Sequence, residues 1–385
     1  MEFFRIKKTI KIIFINLIIL FFLLYILELF LQFGNGNLFK KTKFYYQNKI
    51  EKESKEDIVL SFAPYKFINK NKKTIPLSGV ADKKTIMCLD EKNKPITYKS
   101  DKFGFNNDKN EKNLKFLVIG DSYVHGQCVE NKFNLINQIR KSGFNVVGLG
   151  IYANGPLTEY ATFIEYARYY DYDTLIWVFN PDNDFYDLSL ERSEPIFLKY
   201  YENNITQNLF ENNNNRENII YEYLNKRKKR KVREFARLYH LDLAIIRGFI
   251  KGLDDEKANF DSRFDYLISS QSSDFIQKLF TKVKNSSKKN GKNLIIVINA
   301  LNPDIMFPAN KETKNLKRLL LKDVEKLKEF FTQNEIEYLD FNTKIENEYN
   351  KENISEIFNK IRSKWDHYTP RGYSTLALEI LDSVK

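Results

Sequence analysis

Residues 116–126 read Phe-Leu-Val-Ile-Gly-Asp-Ser-Tyr-Val-His-Gly, and this stretch limits the fold more than any other. Phe116 to Ile119 form the short, continuous apolar run expected of a strand buried on both faces. Gly120-Asp121-Ser122 then breaks the run with three turn-forming residues, and a helix-like segment follows from about Lys132. A serine at the carboxyl end of a buried parallel strand, just ahead of a helix, lies where open α/β sheets place their ligands. The amides of a helix start also favour negative charge there. Taken alone, the tripeptide is equally well an ordinary turn, so its meaning depends on the rest of the chain.

The same alternation recurs downstream. Strand candidates are 116–119, 145–149, 174–179, 294–298 and 336–341, with helical segments at 157–170, 274–287 and 316–332 between them. Strands alternating with helices argue a parallel sheet covered on both faces. The stretch 188–270 has a helical period and reads as an insertion between the third and fourth strands. Residues 34–110 are polar and irregular, a stalk leading into a cap that packs on the domain through Tyr98 to Phe105. The expected organisation is a short tail (1–11), an anchor (12–33), a stalk and cap segment (34–94) and one domain (95–385).

The anchor reading rests on Ile12 to Leu31, where every residue is apolar or aromatic except Asn16 and Glu28. About 20 such residues cross a bilayer, and no Ala-x-Ala-like cleavage site follows. Arg5, Lys7, Lys8 and Lys11 precede the segment while Lys40, Lys41 and Lys43 follow it, so the charge bias is small. A tail this short is easily retained inside. The expectation is a single-pass protein with a cytoplasmic amino terminus and an extracytoplasmic carboxyl-terminal domain, periplasmic or at the cell surface.

The net charge of +12 and pI near 9.2 invite a nucleic-acid reading. Lys and Asn are spread over the whole chain, there is no aromatic-interleaved basic groove, and no Walker-type phosphate loop. Nucleic acid is therefore set aside. The densest basic cluster, Lys226 to Lys231, reads as a solvated helix face, with anionic lipid head groups or acidic glycans as the alternative partner. The two cysteines, Cys88 and Cys128, are an even count outside the cytoplasm, which suits one disulfide, two unpaired thiols being the alternative. No Cys-x-x-Cys or His-rich spacing offers a metal site, and no cofactor is called for.

Four short blocks over residues 95–385 resemble the SGNH, or GDSL-like, hydrolases. The first is Gly120-Asp121-Ser122; the second is Gly148-Leu149-Gly150-Ile151-Tyr152-Ala153-Asn154-Gly155-Pro156. The third is Asn180-Pro181-Asp182-Asn183-Asp184 and the fourth Asp366-His367-Tyr368-Thr369-Pro370. Ser100 to Asn107 and the run Asn154-Gly155-Pro156-Leu157 echo anchored members of the same family. The resemblance implies a three-layer, flavodoxin-like α/β fold with a five-stranded parallel sheet. It implies Ser122 as nucleophile and His367 as general base. The N–H of Ser122, the N–H of Ala153 and the side-chain amide of Asn183 would form an oxyanion hole, with Asn180 the fallback for the last. In this chain Gly148 stands where the family usually has Asn, and Ala153 where it has a glycine.

The chemistry requires these residue types together. A serine hydroxyl is a poor nucleophile until a neighbouring base accepts its proton, and imidazole suits that task. Of three histidines, His125 should be carried to another face of the turn and His240 lies in the insertion, which leaves His367. Many family members carry Asp three residues before the base, where this chain has Lys364. Adjacent side chains tend to point apart, so a Ser–His dyad is favoured slightly over Asp366 as third member. The reading is an esterase acting on an ester such as an O-acylated glycan. An O-acyltransferase modifying a surface polysaccharide, with a membrane acyl-donor partner, is the alternative. A glycan-binding module that lost turnover is the third.

Overall fold

Alternate residues of a strand face opposite sides of its sheet, so strands apolar at every position need a layer on each side. The computed structural model describes residues 2–34, 46–47, 49–50, 53, 57–64, 74–90, 92, 94–108, 112–236, 271–361 and 364–384. They fall into two compact units, Met1–Thr42 with Tyr223–Ser262, and Lys43–Glu222 with Arg263–Lys385.

In the first unit, α1 (Glu2–Gly34) is one continuous helix. Its segment Ile10–Leu27 has mean hydropathy 2.8 and none of it is buried, so it is long and apolar enough to cross a membrane. His240 and the rest of 237–270 lie outside the described residues.

The second unit opens with β1 (Ile58–Leu60), β2 (Lys84–Leu89) and β3 (Pro95–Lys99). The chain continues through β4 (Leu114–Gly120), α2 (Ser122–His125), α3 (Leu135–Lys141), β5 (Val146–Gly148), α4 (Pro156–Tyr166) and β6 (Tyr172–Phe179). Next come α5 (Pro181–Glu191), α6 (Pro195–Asn203), α7 (Asn213–Ala236, of which 213–222 belong to this unit), α8 (Gln271–Lys289) and β7 (Asn293–Ile298). It ends with α9 (Lys311–Gln333), β8 (Glu337–Asp340), α10 (Phe341–Glu348), β9 (Phe358–Ile361), β10 (Lys364–Tyr368) and α11 (Pro370–Ser383). The five strands β5-β4-β6-β7-β8 form one all-parallel sheet in that order. The α/β class and the five-stranded parallel sheet expected from the sequence are what the chain adopts.

Both faces of the sheet are packed. Phe116, Val118, Ile176 and Val178 meet Leu135 and Ile139 of α3 and Leu376 and Ile380 of α11. On the opposite face Trp177 packs edge-on against Phe280 of α8 at 5.0 Å, and Phe280 against Phe331 of α9 at 5.3 Å. Each such side chain stabilises the fold by about 1.5–3 kcal/mol relative to exposure.

The segment read as irregular from the sequence contains a second sheet. β1 pairs parallel with β2, and β2 antiparallel with β3. Its strands are only three to six residues long, too short to establish a period. Downstream, the insertion begins as ordered helices tied to this cap. Arg216 of α7 is fully buried and donates to Ser78 Oγ, to the Phe103 carbonyl at 2.7 Å and to the Tyr166 hydroxyl at 3.0 Å.

Candidate active site

Strand β4 ends at Gly120, and the chain turns at once into α2, whose first residue is Ser122. Asp121 caps that turn by accepting the Tyr123 N–H at 3.0 Å. The serine thus stands at the carboxyl edge of the sheet, at the first position of a helix.

His367 comes from the other end of the chain. β10 pairs antiparallel with β9, Lys364 opposite Ile361 and Trp365 opposite Lys360, but Tyr368 then stands opposite Phe358. One extra residue is therefore accommodated between Trp365 and Tyr368, a β-bulge. Tyr368 holds the strand down: its hydroxyl donates to Asn299 Oδ1 at 2.6 Å and accepts the Ala300 N–H at 3.3 Å, both just past β7. His367 Nε2 consequently lies 2.7 Å from Ser122 Oγ, across 245 residues of sequence. The Tyr123 ring backs the imidazole at 4.9 Å.

Asp366 Oδ1 is hydrogen-bonded to His367 Nδ1. The slight preference for a dyad is thus reversed in the geometry, and the bulge is the reason: it breaks the strict alternation that would send consecutive side chains apart. Burial pulls the Asp366 carboxyl upward, but the hydrogen bond and charge of His367 outweigh it and hold it below the usual range. Asp121 is the opposite case. Burial pushes its carboxyl up, against the Tyr123 amide and the His367 charge. Its Oδ2 lies 3.2 Å from Ser122 Oγ, 3.3 Å from Asn183 Nδ2 and 3.5 Å from Asn180 Nδ2.

The loop after β5 is held on both sides. Asn107 pairs with Gly148 through both amide atoms, accepting its N–H at 3.0 Å and donating to its carbonyl at 2.9 Å. Asp101 in turn holds Asn107 Nδ2 at 2.7 Å and the N–H groups of Phe103 and Phe105 at 2.9 Å. Gly150 rests on α2 so closely that a Cβ there would lie 2.5 Å from the His125 nitrogen. Ala153 adopts φ of +59°, the left-handed conformation a glycine would take freely. Asn183 sits in the first turn of α5, its amide on Asp121 and, at 3.1 Å, on Asp187.

Ser122, His367 and Asp366 are therefore brought into contact, with the Asn183 amide beside Asp121 and the Ala153 loop packed on α2. Cys88 and Cys128 are not joined to each other. Cys88 is buried in the cap sheet opposite Ile96, while Cys128 lies in the turn after α2 at φ of +61°, so an even cysteine count did not make a bridge. His125 is buried, shares a hydrogen bond with the Tyr98 hydroxyl at 3.1 Å and stacks on Tyr152. It faces the cap. Sequence reasoning missed Asp187 and Glu191, although Asn183, Asp187 and Glu191 follow one another at four-residue spacing on one helix face. Among the described residues no group of three His, Cys, Asp or Glu side chains could hold a metal ion.

A serine after the first strand of the parallel sheet meets a histidine–aspartate pair ahead of the last helix. The architecture is an α/β fold built on a five-stranded, all-parallel sheet. No family model matches the sequence, and no curated protein does. Among solved structures, a lipolytic protein of the G-D-S-L family from Desulfitobacterium hafniense DCB-2 is 9% identical, with TM-score 0.40, over 70% of this chain and 99% of its own. A member of the same family from Veillonella parvula DSM 2008 is 12% identical, with TM-score 0.36, over 69% of this chain and 96% of its own. A salicylyl-acyltransferase from a tetracycline biosynthetic pathway is 10% identical, with TM-score 0.35, over 72% of this chain and 55% of its own.

Proposed function

We propose that the chain is a membrane-anchored serine esterase in which Ser122 is the nucleophile, His367 the general base and Asp366 the group that orients the base. The observation that carries this reading is the 2.7 Å contact between Ser122 Oγ and His367 Nε2, with Asp366 on the other ring nitrogen. Nδ1 bonded to a carboxylate carries the proton, which leaves the Nε2 lone pair facing the serine hydroxyl.

As Oγ bonds to the ester carbonyl carbon, its proton passes to Nε2 and the carbonyl oxygen becomes an oxyanion. The imidazolium then returns the proton to the departing alkoxide, leaving an acyl-serine. Water attacks that acyl group by the same route, and the acid leaves. Fixed donors aimed at the oxyanion carry much of such a rate enhancement. The Ser122 N–H, the Ala153 N–H and the Asn183 amide fill that role in this reading. The anchor at 12–33 would hold the domain outside the membrane, facing an ester such as an O-acylated glycan. Acyl transfer differs only in a sugar hydroxyl replacing the water in the second half-reaction.

The test is labelling of the full chain with a fluorophosphonate probe. Wild type should be labelled and Ser122→Ala should not; equal labelling of both removes Ser122 as nucleophile. With an aryl acetate, excess acyl incorporation into added oligosaccharide over acetate release identifies the transferase instead.

A further inference from the structure

Helix α4 starts without a cap of its own. Its N-cap residue is Gly155, which has no side chain, and Pro156 at the first helical position has no N–H. Glu191, the last residue of α5, supplies the cap from outside: Oε1 accepts the Gly155 N–H and Oε2 the Leu157 N–H, each at 2.8 Å. The side chain is 2% exposed, so these bonds are made out of contact with water. Gly155 is needed for the approach, since a Cβ there would lie 2.6 Å from Asp187 Cβ and 2.9 Å from the Glu191 carboxyl carbon.

The capped amides begin two residues after Ala153. The same helix carries Asn183 in its first turn and Glu191 in its last. We propose that Glu191 is a positioning residue that fixes the Ala153 loop, so that α5 sets two oxyanion donors at once, Asn183 directly and the Ala153 N–H through the Glu191 cap. The inference rests on the esterase reading of the Ser122 site. Burial pushes the Glu191 carboxyl up to about 7, against the lowering effect of the Thr158 hydroxyl and of the amides it accepts. The cap is thus kept at the expense of holding a carboxyl group in a dry site, more than helix capping alone requires.

The experiment compares wild type, Ser122→Ala and Glu191→Gln in the full chain with an aryl acetate. Gln keeps one acceptor oxygen but turns an N–H toward an amide. The expected result is a kcat about 10- to 100-fold lower, as for a misplacement near 1 Å, with KM within about twofold and near-ultraviolet dichroism unchanged. Fluorophosphonate labelling should slow in proportion, because the phosphonyl oxygen uses the same donors. A Glu191→Gln enzyme with wild-type kcat overturns the proposal, and so does a loss confined to KM. Activity that survives Ser122→Ala overturns the site reading, a separate outcome. Should Glu191→Gln fail to fold, hydrogen exchange on wild type decides: rapid exchange of the Gly155 and Leu157 amides in the folded protein removes the cap and the proposal, and slow exchange supports both.

Discussion

Asp366 in the β9–β10 hairpin and Asp121 at the end of β4 both lie within reach of the Ser122–His367 pair, yet their surroundings act in opposite senses. Asp366 is a quarter exposed at its side chain and faces a group that can become a cation, and its carboxyl is held low. Asp121 is 1% exposed and belongs to a group of buried acids with Glu159, Asp184 and Glu191, each pushed up by burial, and Glu159 and Asp184 also by neighbouring carboxylates. Glu159 is bonded to Trp177 Nε1 at 2.6 Å, and Asp184 to the Asn180 N–H at 2.7 Å. The difference separates two uses of one chemical group. A carboxylate on the far side of the imidazole can stabilise positive charge as it forms. A carboxyl in a dry pocket with like neighbours serves as a hydrogen-bonding brace and resists ionisation.

The comparison can be broken by mutation, the largest effects first. His367→Ala should lower kcat on an aryl acetate by about 10⁴-fold or more, since the serine loses its proton acceptor. Retained turnover would make the hairpin irrelevant. Asp366→Asn should cost about 10²- to 10⁴-fold by allowing the wrong imidazole tautomer, whereas Asp121→Asn should cost less than about tenfold. The reverse order of those two rates would assign the orienting role to Asp121.

The buried group has a signature in stability. Glu191 is raised from 4.5 to about 7, so the folded state binds extra proton between those values. Its contribution is full below pH 4.5 and is lost as pH rises through 7. Between pH 5.5 and 8, wild type should lose about 2 kcal/mol relative to Glu191→Gln in denaturant unfolding. A difference independent of pH would show that the carboxyl ionises as it does in water. The smallest effect is at Ala153. Left-handed backbone costs a residue with a Cβ about 1 kcal/mol, partly offset by the greater freedom of glycine in the unfolded chain. Ala153→Gly should therefore raise the melting temperature slightly and leave kcat within a few-fold; a marked loss of stability would mean that the methyl group packs.

What was legible in the sequence follows from these forces. Strands β4, β6 and β7 are buried on both faces, so Phe116–Ile119 and its counterparts stand out as unbroken apolar runs. Ser122 and His367 could be proposed because each sits at the boundary between two elements. The cap strands Lys84–Leu89 and Pro95–Lys99 were hidden by their shortness. The Asp366–His367 contact depends on a bulge, which shifts register without altering any residue type. Glu191 acts across 34 to 36 residues, where only its four-residue spacing from Asp187 and Asn183 gave a clue.

The bulged strand β10 has a mechanical consequence. Asp366 and His367 are consecutive residues bonded to each other, while Ser122 belongs to a separate element, α2. A displacement of the hairpin would carry acid and base together and leave their tautomer undisturbed. One coordinate, the gap between Nε2 and Oγ, would change. In the esterase reading, activation of Ser122 is thus reduced to the closing of a single distance, clamped by Tyr368 against the end of β7.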